Sequence, residues 1–445
     1  MVLSAVAELQ FSLAKGRWSQ AWGFPPMSVP TGASVRAWQS STLTEQQQRR
    51  HFKDMVHGLA GLTGTALAAA AEDDAVAWEP SKPLHLGERM PLNEGSASEV
   101  DLLSAFLPWE PVCTENLQVL PRNSSELLSS VNSGVLLQPF LRMLPCRSHS
   151  FIGSITPQMF CGAHHSVVSI SAAANSETSS SKSMLAVFKV MVVVREEQAF
   201  HPQVSLSPCP VCTRSILSVS SFDGSLPEDL RIQTADPYSE AASALSAALG
   251  GFRHSAGSGI DLRGICQGNS ECRVILSVDW AQQTTSTPNP FISITQKLTT
   301  APTSSLIGIA TVFHNPTADA AELEITRYIS WFARPLSSSL TVALNGMTVD
   351  AASMIKRQRK SPLHAASRAL EWRSLGADSF NVSVPANSTI LLHAFIERSY
   401  VHWERHQPDA HRGLDLPPLF VWHNSSVIVV DSPIFLVPLP DFSMP

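Results

Sequence analysis

The chain has 445 residues, of which 44% are hydrophobic and 15% are charged, and its formal net charge is −6. This length and apolar content suit two or three domains with a sizeable buried core. The low charged fraction disfavours long charged helices, and the negative net charge gives no support for a nucleic-acid partner.

The N-terminal region predicts a mixture of strand and helix. Residues 7–13 alternate between apolar and polar side chains, which is typical of a half-buried strand. A turn-rich segment follows over residues 16–32. Residues 44–71 predict the clearest helix, because Thr44 and Gln47 have the spacing of a capping box and apolar side chains recur at helical spacing.

Short β-rich runs dominate the chain from residue 184 onward. They cover residues 184–194, 216–219, 273–278, 306–313, 323–332 and 390–395. Proline, asparagine and glycine punctuate them, which predicts an antiparallel β-sandwich. A short helix is expected over 236–250. We therefore predict a mainly β fold class, with a mixed α/β domain over 1–215 and a β-sandwich domain over 216–445.

The apolar runs of the sequence are short. The most apolar run, residues 184–194, contains Lys189 and is much shorter than the roughly 20 residues that a membrane-spanning helix needs. Residues 1–14 lack the basic start of a signal peptide. We therefore expect both ends of the chain to be cuts within a longer protein.

The cysteine count is odd. The seven cysteines are Cys113, Cys146, Cys161, Cys209, Cys212, Cys266 and Cys272. In an oxidising compartment an odd count indicates an intermolecular bridge or a free thiol. Cys266 and Cys272 are close in sequence, with glycines between and beside them, so a local intrachain disulfide is expected there. Cys209 and Cys212 have the spacing of redox and zinc sites, but no second pair accompanies them, and we predict no metal site.

Four sequons are candidate N-glycosylation sites. They begin at Asn123, Asn381, Asn387 and Asn424. A sequon is used only when the chain enters the secretory pathway, so these sites depend on the cellular compartment. We expect a glycan at Asn387 if the end of its strand faces solvent.

Catalytic motifs are scarce in this sequence. Cys161 precedes His164 and His165, which are the residue types of a Cys–His hydrolase. No motif specifies a nucleophile, and the sequence lacks the Gly-x-Ser-x-Gly, phosphate-loop and zinc-helix patterns. We predict no catalytic residue and no cofactor, and we retain the hydrolase as an alternative.

Four segments together resemble the PIG-T family. Residues 16–26 (GRWSQAWGFPP) are similar to its tryptophan-rich stretch, and residues 112–117 (VCTENL) to a cysteine segment. Residues 385–388 (PANS) form the third match. Residues 436–445 (LVPLPDFSMP) are the fourth, and in the family this segment leads directly into a membrane-spanning helix.

The resemblance implies a single-pass type I protein of the endoplasmic reticulum membrane, with a β-rich, glycosylated lumenal part. It implies a non-catalytic scaffold subunit of the GPI transamidase that stabilises a caspase-like catalytic subunit. Other transamidase subunits would be further partners, and the GPI lipid and the precursor protein would be contacted indirectly. The membrane contact would be a C-terminal helix that is missing from this chain. The alternative is a secreted or cell-surface β-sandwich adhesion protein.

The resemblance also suggests a role for Cys113. This cysteine lies in the second matching segment, and we predict that it forms the interchain disulfide to the catalytic subunit. The alternative is a bridge within the chain, for example to Cys146. The family usually has a sequon in this segment, whereas here Asn116 is followed by Leu117 and Gln118.

Overall fold

A computed structural model describes the chain in separate stretches. These are residues 6–19, 22, 25, 27–63, 65–71, 76–79, 100–107, 160, 162–175, 183–193, 203–206, 216–217, 229–234, 260–261, 272–279, 292–300, 306–329, 333–357, 376–398, 414–423, 426–431 and 433–435. The helix predicted over 236–250 lies outside these residues.

Six antiparallel strands form the N-terminal sheet, in the order β3-β4-β2-β1-β5-β6. Their bounds are β1 Val6–Lys15, β2 Gly32–Ser40, β3 Ala77–Glu79, β4 Val100–Leu107, β5 His165–Asn175 and β6 Ser183–Val193. The strand predicted over 7–13 is confirmed as β1, and the most apolar run of the sequence forms the edge strand β6. The predicted β-rich character therefore extends into the N-terminal half.

One long helix, α1 (Glu45–Thr63), covers one face of the N-terminal sheet. The predicted capping box is confirmed: the Gln47 backbone N–H donates to the Thr44 hydroxyl at 3.3 Å, and the Thr44 N–H donates to the Gln47 side-chain oxygen at 3.0 Å. The buried side chains of Phe52 and Val56 pack against the sheet.

The predicted length of this helix was wrong. A continuous helix was expected to residue 71, whereas α1 ends at Thr63 and a separate 3-10 helix follows over Ala66–Ala71. The sequence has Gly64 directly after α1, and glycine is enriched just past helix ends because its backbone enters conformations that other residues avoid.

Two five-stranded antiparallel sheets face each other in the C-terminal part. The outer sheet has the order β12-β13-β19-β15-β16, with bounds β12 Ser293–Leu298, β13 Leu306–Asn315, β15 Ala333–Leu344, β16 Met347–Val349 and β19 Ser388–Arg398. The inner sheet has the order β17-β18-β14-β21-β22, with bounds β14 Ala321–Ile329, β17 Ile355–Arg357, β18 Gly376–Val384, β21 Leu419–His423 and β22 Ser426–Val430. A short helix, α2 (Ala351–Met354), precedes β17.

The predicted β-sandwich is confirmed by this pair of sheets. Alternate residues of β13 point inward, as the period-2 pattern requires, and Phe313 is fully buried. Phe313 and Ile390 of the outer sheet share one apolar core with Leu323 and Ile325 of the inner sheet. Burying such side chains provides the main stabilisation of a sandwich, at about 1.5–3 kcal/mol each.

Within the described stretches, seven further strands form three small antiparallel sheets. They are β7 Gln203–Leu206, β8 Ile216–Leu217, β9 Asp229–Thr234, β10 Ile260–Asp261, β11 Cys272–Asp279, β20 Leu414–Asp415 and β23 Ile434–Phe435. Five of these strands lie in sequence between the N-terminal sheet and the sandwich. The domain boundary predicted at residues 215 and 216 falls in this stretch and stays a prediction.

The main elements stack in four layers. Helix α1 covers one face of the N-terminal sheet, and the opposite face of that sheet packs on the inner sheet of the sandwich. The outer sheet closes the stack on the far side. Among the described residues, no helix is both long and apolar enough to cross a membrane.

Candidate functional site

The end of β1 is held against the start of β5 by a glycine. Gly16 has φ +74°, and a Cβ at this position would lie 2.5 Å from the carbonyl oxygen of His164. The Lys15 ammonium donates to the Ala163 carbonyl at 3.0 Å across the same junction. Because β1 and β5 are antiparallel neighbours, the segment after β1 and the segment before β5 meet at one edge.

This junction joins the tryptophan-rich segment to the histidine pair. Trp18 packs edge-on against Trp22, with ring centroids 5.2 Å apart, and against His165, at 5.5 Å. Trp22 also lies 6.1 Å from the ring of His164. We call Trp18, Trp22, His164 and His165 the tryptophan–histidine cluster. It unites two motifs that are more than a hundred residues apart in the sequence.

His165 is a buried packing residue in this cluster. Its Nδ1 lies 3.1 Å from the carbonyl oxygen of Gly16, and because a carbonyl can only accept, Nδ1 carries the proton. Burial lowers the pKa of His165, against the raising effects of the Gly16 hydrogen bond and the charge of Asp431. The imidazole is therefore favoured in its neutral form, and this nitrogen is committed to the backbone.

A carboxylate from the far end of the chain reaches the same loop. Asp431, directly after β22, accepts hydrogen bonds from the Thr31 backbone N–H at 3.1 Å and the Thr31 hydroxyl at 2.7 Å. Burial raises the pKa of Asp431, and the two Thr31 bonds and the charges of Arg17 and His165 oppose that rise. The loop between β1 and β2 is thus attached to the sandwich.

The same loop also covers the edge of the inner sheet. The backbone N–H of Val429, in edge strand β22, donates to the hydroxyl of Ser28 at 2.6 Å. Exposed strand edges pair readily with other chains, so a loop that occupies edge groups protects the sheet.

A second contact region lies between the N-terminal sheet and the inner sheet, and we call it the buried seam. Its members are large or charged side chains from β1, β2, β4, β14 and β21: Glu8, Arg36, Trp38, Phe106, Tyr328, Phe420 and Trp422. The ring centroid of Phe106 lies 4.9 Å from that of Tyr328 and 5.7 Å from that of Phe420. These contacts join the two halves of the chain.

Arg36 is the central cation of the buried seam. Its guanidinium carbon lies 4.6 Å from the ring centroid of Phe420, 5.1 Å from that of Trp38 and 5.6 Å from that of Trp422. Only 6% of Arg36 is exposed. Cation–π attraction grows when the cation is desolvated, so this arrangement ties β2 of the N-terminal sheet to β21 of the inner sheet.

Glu8 is the acid beside this cation. It is fully buried, and Gln10 donates to its Oε1 at 3.0 Å. Burial raises the pKa of Glu8 to about 7, although the Gln10 bond and the Arg36 charge lower it. Glu8 Oε2 and Arg36 Nε have no hydrogen-bond partner among the described residues. Keeping Glu8 and Arg36 in the buried seam therefore costs desolvation free energy, which the packing of the seam must offset.

The predicted site residues fall into two groups. Cys113, Cys266, Asn123 and Asn424 lie outside the described residues, as do Cys161, Cys209 and Cys212. Cys272 begins β11, where it pairs with Leu206 of β7. Asn381 lies within β18, and Asn387 lies in the turn before β19. Over the parts of the chain that the structure describes, no group of His, Cys, Asp and Glu is arranged to hold a metal ion.

Sequence reasoning missed Glu8, Arg36 and Asp431. The strand over residues 7–13 was predicted, but its pattern did not indicate that its polar positions, such as Glu8 and Ser12, are buried. Arg36 and Trp38 share one strand face, which is the signal that could have marked a cation–aromatic contact. No local pattern connects Asp431 to Thr31, because their proximity arises only from the packing of the two halves.

A family model described as "Gpi16 subunit, GPI transamidase component" matches residues 2–130 and 260–445, which is more than half of the chain. The chain belongs to the Gpi16 family. Both matched ranges contribute to the contacts described above: the first supplies the tryptophan-rich loop, Thr31, Glu8 and Arg36, and the second supplies Asp431 and the sandwich. The family assignment also confirms the resemblance to PIG-T.

Curated relatives of this Gpi16-family chain are also described as transamidase components. The GPI transamidase component PIG-T homolog of Schizosaccharomyces pombe is 24% identical over 143 residues, 31% of this chain and 25% of that protein. The human GPI-anchor transamidase component PIGT is 27% identical over 169 residues, 36% of this chain and 24% of that protein. The aligned part of the Gpi16-family chain therefore spans about a quarter of each relative.

One solved structure with low similarity is the collagen-binding domain of the Erysipelothrix rhusiopathiae surface protein RspB. It is 9% identical, with a TM-score of 0.21 over 62% of this chain and 61% of that one. This score is too low to support an argument about the Gpi16-family chain.

Proposed function

We propose that this chain is the lumenal part of a non-catalytic scaffold subunit of the GPI transamidase, and that it stabilises a caspase-like catalytic subunit. The observation that carries the proposal is the Gpi16 family match, whose first range includes Cys113. On this proposal the complex cleaves the C-terminal signal of a precursor protein and transfers the new carboxyl end to a GPI lipid. The chemistry belongs to the other subunit.

The geometry suits a scaffold in two ways. The buried seam and the Thr31–Asp431 contact join the N-terminal sheet to the sandwich, so a partner bound to one half is held at a fixed distance from the other. His165, one of the histidines considered for a hydrolase, is buried, and its Nδ1 is bonded to a backbone carbonyl. Such a histidine supports packing better than proton transfer.

The proposed link to the catalytic subunit is an interchain disulfide at Cys113. A covalent link makes the second contact between two chains intramolecular, which raises the effective concentration of the catalytic subunit beside this one. The location expected for this arrangement is the lumenal side of the endoplasmic reticulum membrane, where oxidising conditions preserve disulfides.

The decisive experiment is purification of the full-length protein from membranes, followed by gel electrophoresis with and without reductant. We expect a high-mass species that contains both chains and that disappears on reduction. Cys113→Ser should abolish that species, while Cys272→Ser, which removes a cysteine of the predicted local bridge, should retain it. Survival of the species in Cys113→Ser would contradict the assignment of the cysteine.

A separate readout tests the complex itself. If other transamidase subunits co-purify with the native protein under mild detergent, the subunit proposal stands even when Cys113 is wrong. A chain that is secreted alone, as an adhesion protein would be, would overturn the proposal.

A further inference from the structure

Two sequons in the sandwich lie six residues apart and have opposite surroundings. Asn381 is in the middle of β18, and Asn387 is in the turn that leads to β19. The local sequence pattern treats them alike, because each asparagine is followed two positions later by a hydroxyl residue. The structure separates them by exposure and backbone conformation.

Asn387 is presented at the surface in a left-handed conformation, with φ +48°. Its side chain is exposed, and its backbone N–H donates to the Thr317 carbonyl at 3.0 Å. Asparagine is one of the few residues that adopt this conformation at low cost, so the position combines a favourable backbone with an accessible amide.

A buried asparagine fixes the turn that carries Asn387. The Asn315 side chain is fully buried and donates to the carbonyls of Asp319 at 2.8 Å, Pro385 at 3.1 Å and Val384 at 3.2 Å. Ser388, directly after Asn387, donates its hydroxyl to the Pro385 carbonyl at 2.7 Å. The hydrogen bonds of the turn are therefore made by its neighbours, and they do not require the Asn387 side chain.

Asn381 is enclosed on both sides by paired strands. It faces Glu324 of β14 and Lys356 of β17 in the register of the inner sheet. Its Oδ1 is buried, with no hydrogen-bond partner among the described residues. Glu324 is also paired with Trp422, a member of the buried seam, so Asn381 lies on the sheet face that packs toward the N-terminal sheet. Asn381 is half-buried on this face, where β18 contacts β3 of the N-terminal sheet, so a glycan there would meet packed protein, whereas one at Asn387 would meet solvent.

We propose that the assembled native protein carries an N-linked glycan at Asn387 and none at Asn381. The donor class is a lipid pyrophosphate-linked oligosaccharide. The Asn387 Nδ2 forms a bond to the anomeric carbon, the bond from that carbon to the pyrophosphate oxygen breaks, and the amide loses one proton. This inference rests on the proposed function, because that function places the chain in the secretory pathway.

The proposal also restricts where partner subunits can bind. The Asn345 backbone N–H donates to the Thr389 carbonyl, and the Thr389 backbone N–H donates to the Asn345 side-chain oxygen, both at 2.9 Å. The hairpin tip after β15 therefore lies beside the glycan-bearing turn. That tip carries Met347, which is 72% exposed. A glycan at Asn387 covers this end of the sandwich and shields the exposed methionine. Partner subunits therefore dock on other surfaces.

The test is glycopeptide mass spectrometry of the full-length protein purified from membranes of a eukaryotic host. Asn387→Gly removes the acceptor and tolerates the left-handed backbone, and Ser383→Ala removes the Asn381 sequon without changing Asn381. We expect Asn387→Gly to lose one glycan on an enzymatic deglycosylation gel and Ser383→Ala to lose none. Both variants should retain co-purifying subunits.

Two results would overturn the inference: an unmodified Asn387, or a glycan at Asn381, in protein that co-purifies with transamidase subunits. In either case the proposed function would survive. If the chain is instead cytosolic, carries no glycan at any sequon and has no companion subunits, the proposed function itself fails.

Discussion

Thr31 and Asp431 are 400 residues apart in sequence and are joined by two hydrogen bonds, of 2.7 and 3.1 Å. One residue ends the tryptophan-rich loop of the N-terminal half, and the other follows the edge strand of the sandwich. Through this contact the loop that carries Trp18 and Trp22 becomes part of the junction between the two halves.

The first prediction concerns this contact. Asp431→Ala leaves both Thr31 donors without their acceptor in a partly buried site, so we expect the free energy of unfolding to fall by about 2 kcal/mol. Thr31→Ser, which retains both donors, should be close to wild type. Urea unfolding followed by tryptophan fluorescence measures both. Equal stability of Asp431→Ala and the wild type would contradict the importance of the contact.

The second prediction concerns the pH dependence caused by Glu8. Its pKa is about 7 in the folded protein, against an ordinary value of 4.5. The folded state therefore binds this proton more tightly than the unfolded state does. The resulting stabilisation is fully present below about pH 4.5 and is lost as the pH rises toward about 7.

Glu8→Gln places an uncharged side chain at this position at every pH, so it removes the loss of stability that ionisation of Glu8 causes. We expect the variant to be more stable than wild type at about pH 8, by up to about 3 kcal/mol, and the difference to shrink near pH 5. Urea midpoints at the two pH values measure it. Glu322→Gln, at an exposed position of β14, is the control and should show no such difference. A Glu8→Gln variant whose pH profile parallels that of the wild type would exclude this role.

The third prediction concerns Arg36. Arg36→Ala removes a buried cation from three aromatic rings and from the vicinity of Glu8, and we expect a loss of about 3 kcal/mol in the free energy of unfolding. Arg36→Lys keeps the charge but lacks the planar guanidinium, so it should be intermediate. Chemical denaturation measures the stability, and near-ultraviolet circular dichroism reports on the surrounding tryptophans.

A double variant tests the pairing in the seam. Because Glu8 and Arg36 interact, the combined effect of Glu8→Gln and Arg36→Ala should differ from the sum of the single effects. Strict additivity would show that the two side chains act independently.

The fourth prediction compares two glycines. Gly16→Ala adds a Cβ at a left-handed position and directs it at the His164 carbonyl, so we expect a loss of about 2 kcal/mol or more. Gly58→Ala lies in α1, where an added Cβ meets nothing within 4 Å, and should stabilise the protein by about 0.5–1 kcal/mol. Thermal unfolding of the two variants should shift in opposite directions. A shift in the same direction would contradict the role of Gly16.

The sequence predicted much of the local structure because local structure follows from nearby residues. The capping box at Thr44 and Gln47 marked the start of α1 correctly, since its atoms come from one turn of the chain. Alternating apolar residues identified β1, and a β-rich run between turn signals identified β13, for the same reason. The end of α1 was less predictable, because the pattern continues past Gly64 while the helix does not.

The candidate site was only partly predictable. The tryptophan-rich segment and the histidine pair were each singled out from sequence, but nothing local indicated that Trp18 packs on His165. Likewise Asn381 and Asn387 are equivalent as sequons, and their different environments follow from strand pairing and turn geometry. A motif identifies a residue type and spacing, whereas burial depends on what the rest of the chain places against it.

By itself, the sequence determined the mainly β fold class, the start of the helix and the family, because hydrophobic period, capping and motif residues are properties of short stretches. Only the tertiary structure decided that the polar face of β1 and β2 is buried, that Arg36 lies among aromatic rings of the sandwich, and that Thr31 meets Asp431. These outcomes depend on two sheets packing face to face, and that packing joins residues hundreds of positions apart, beyond the reach of any local pattern.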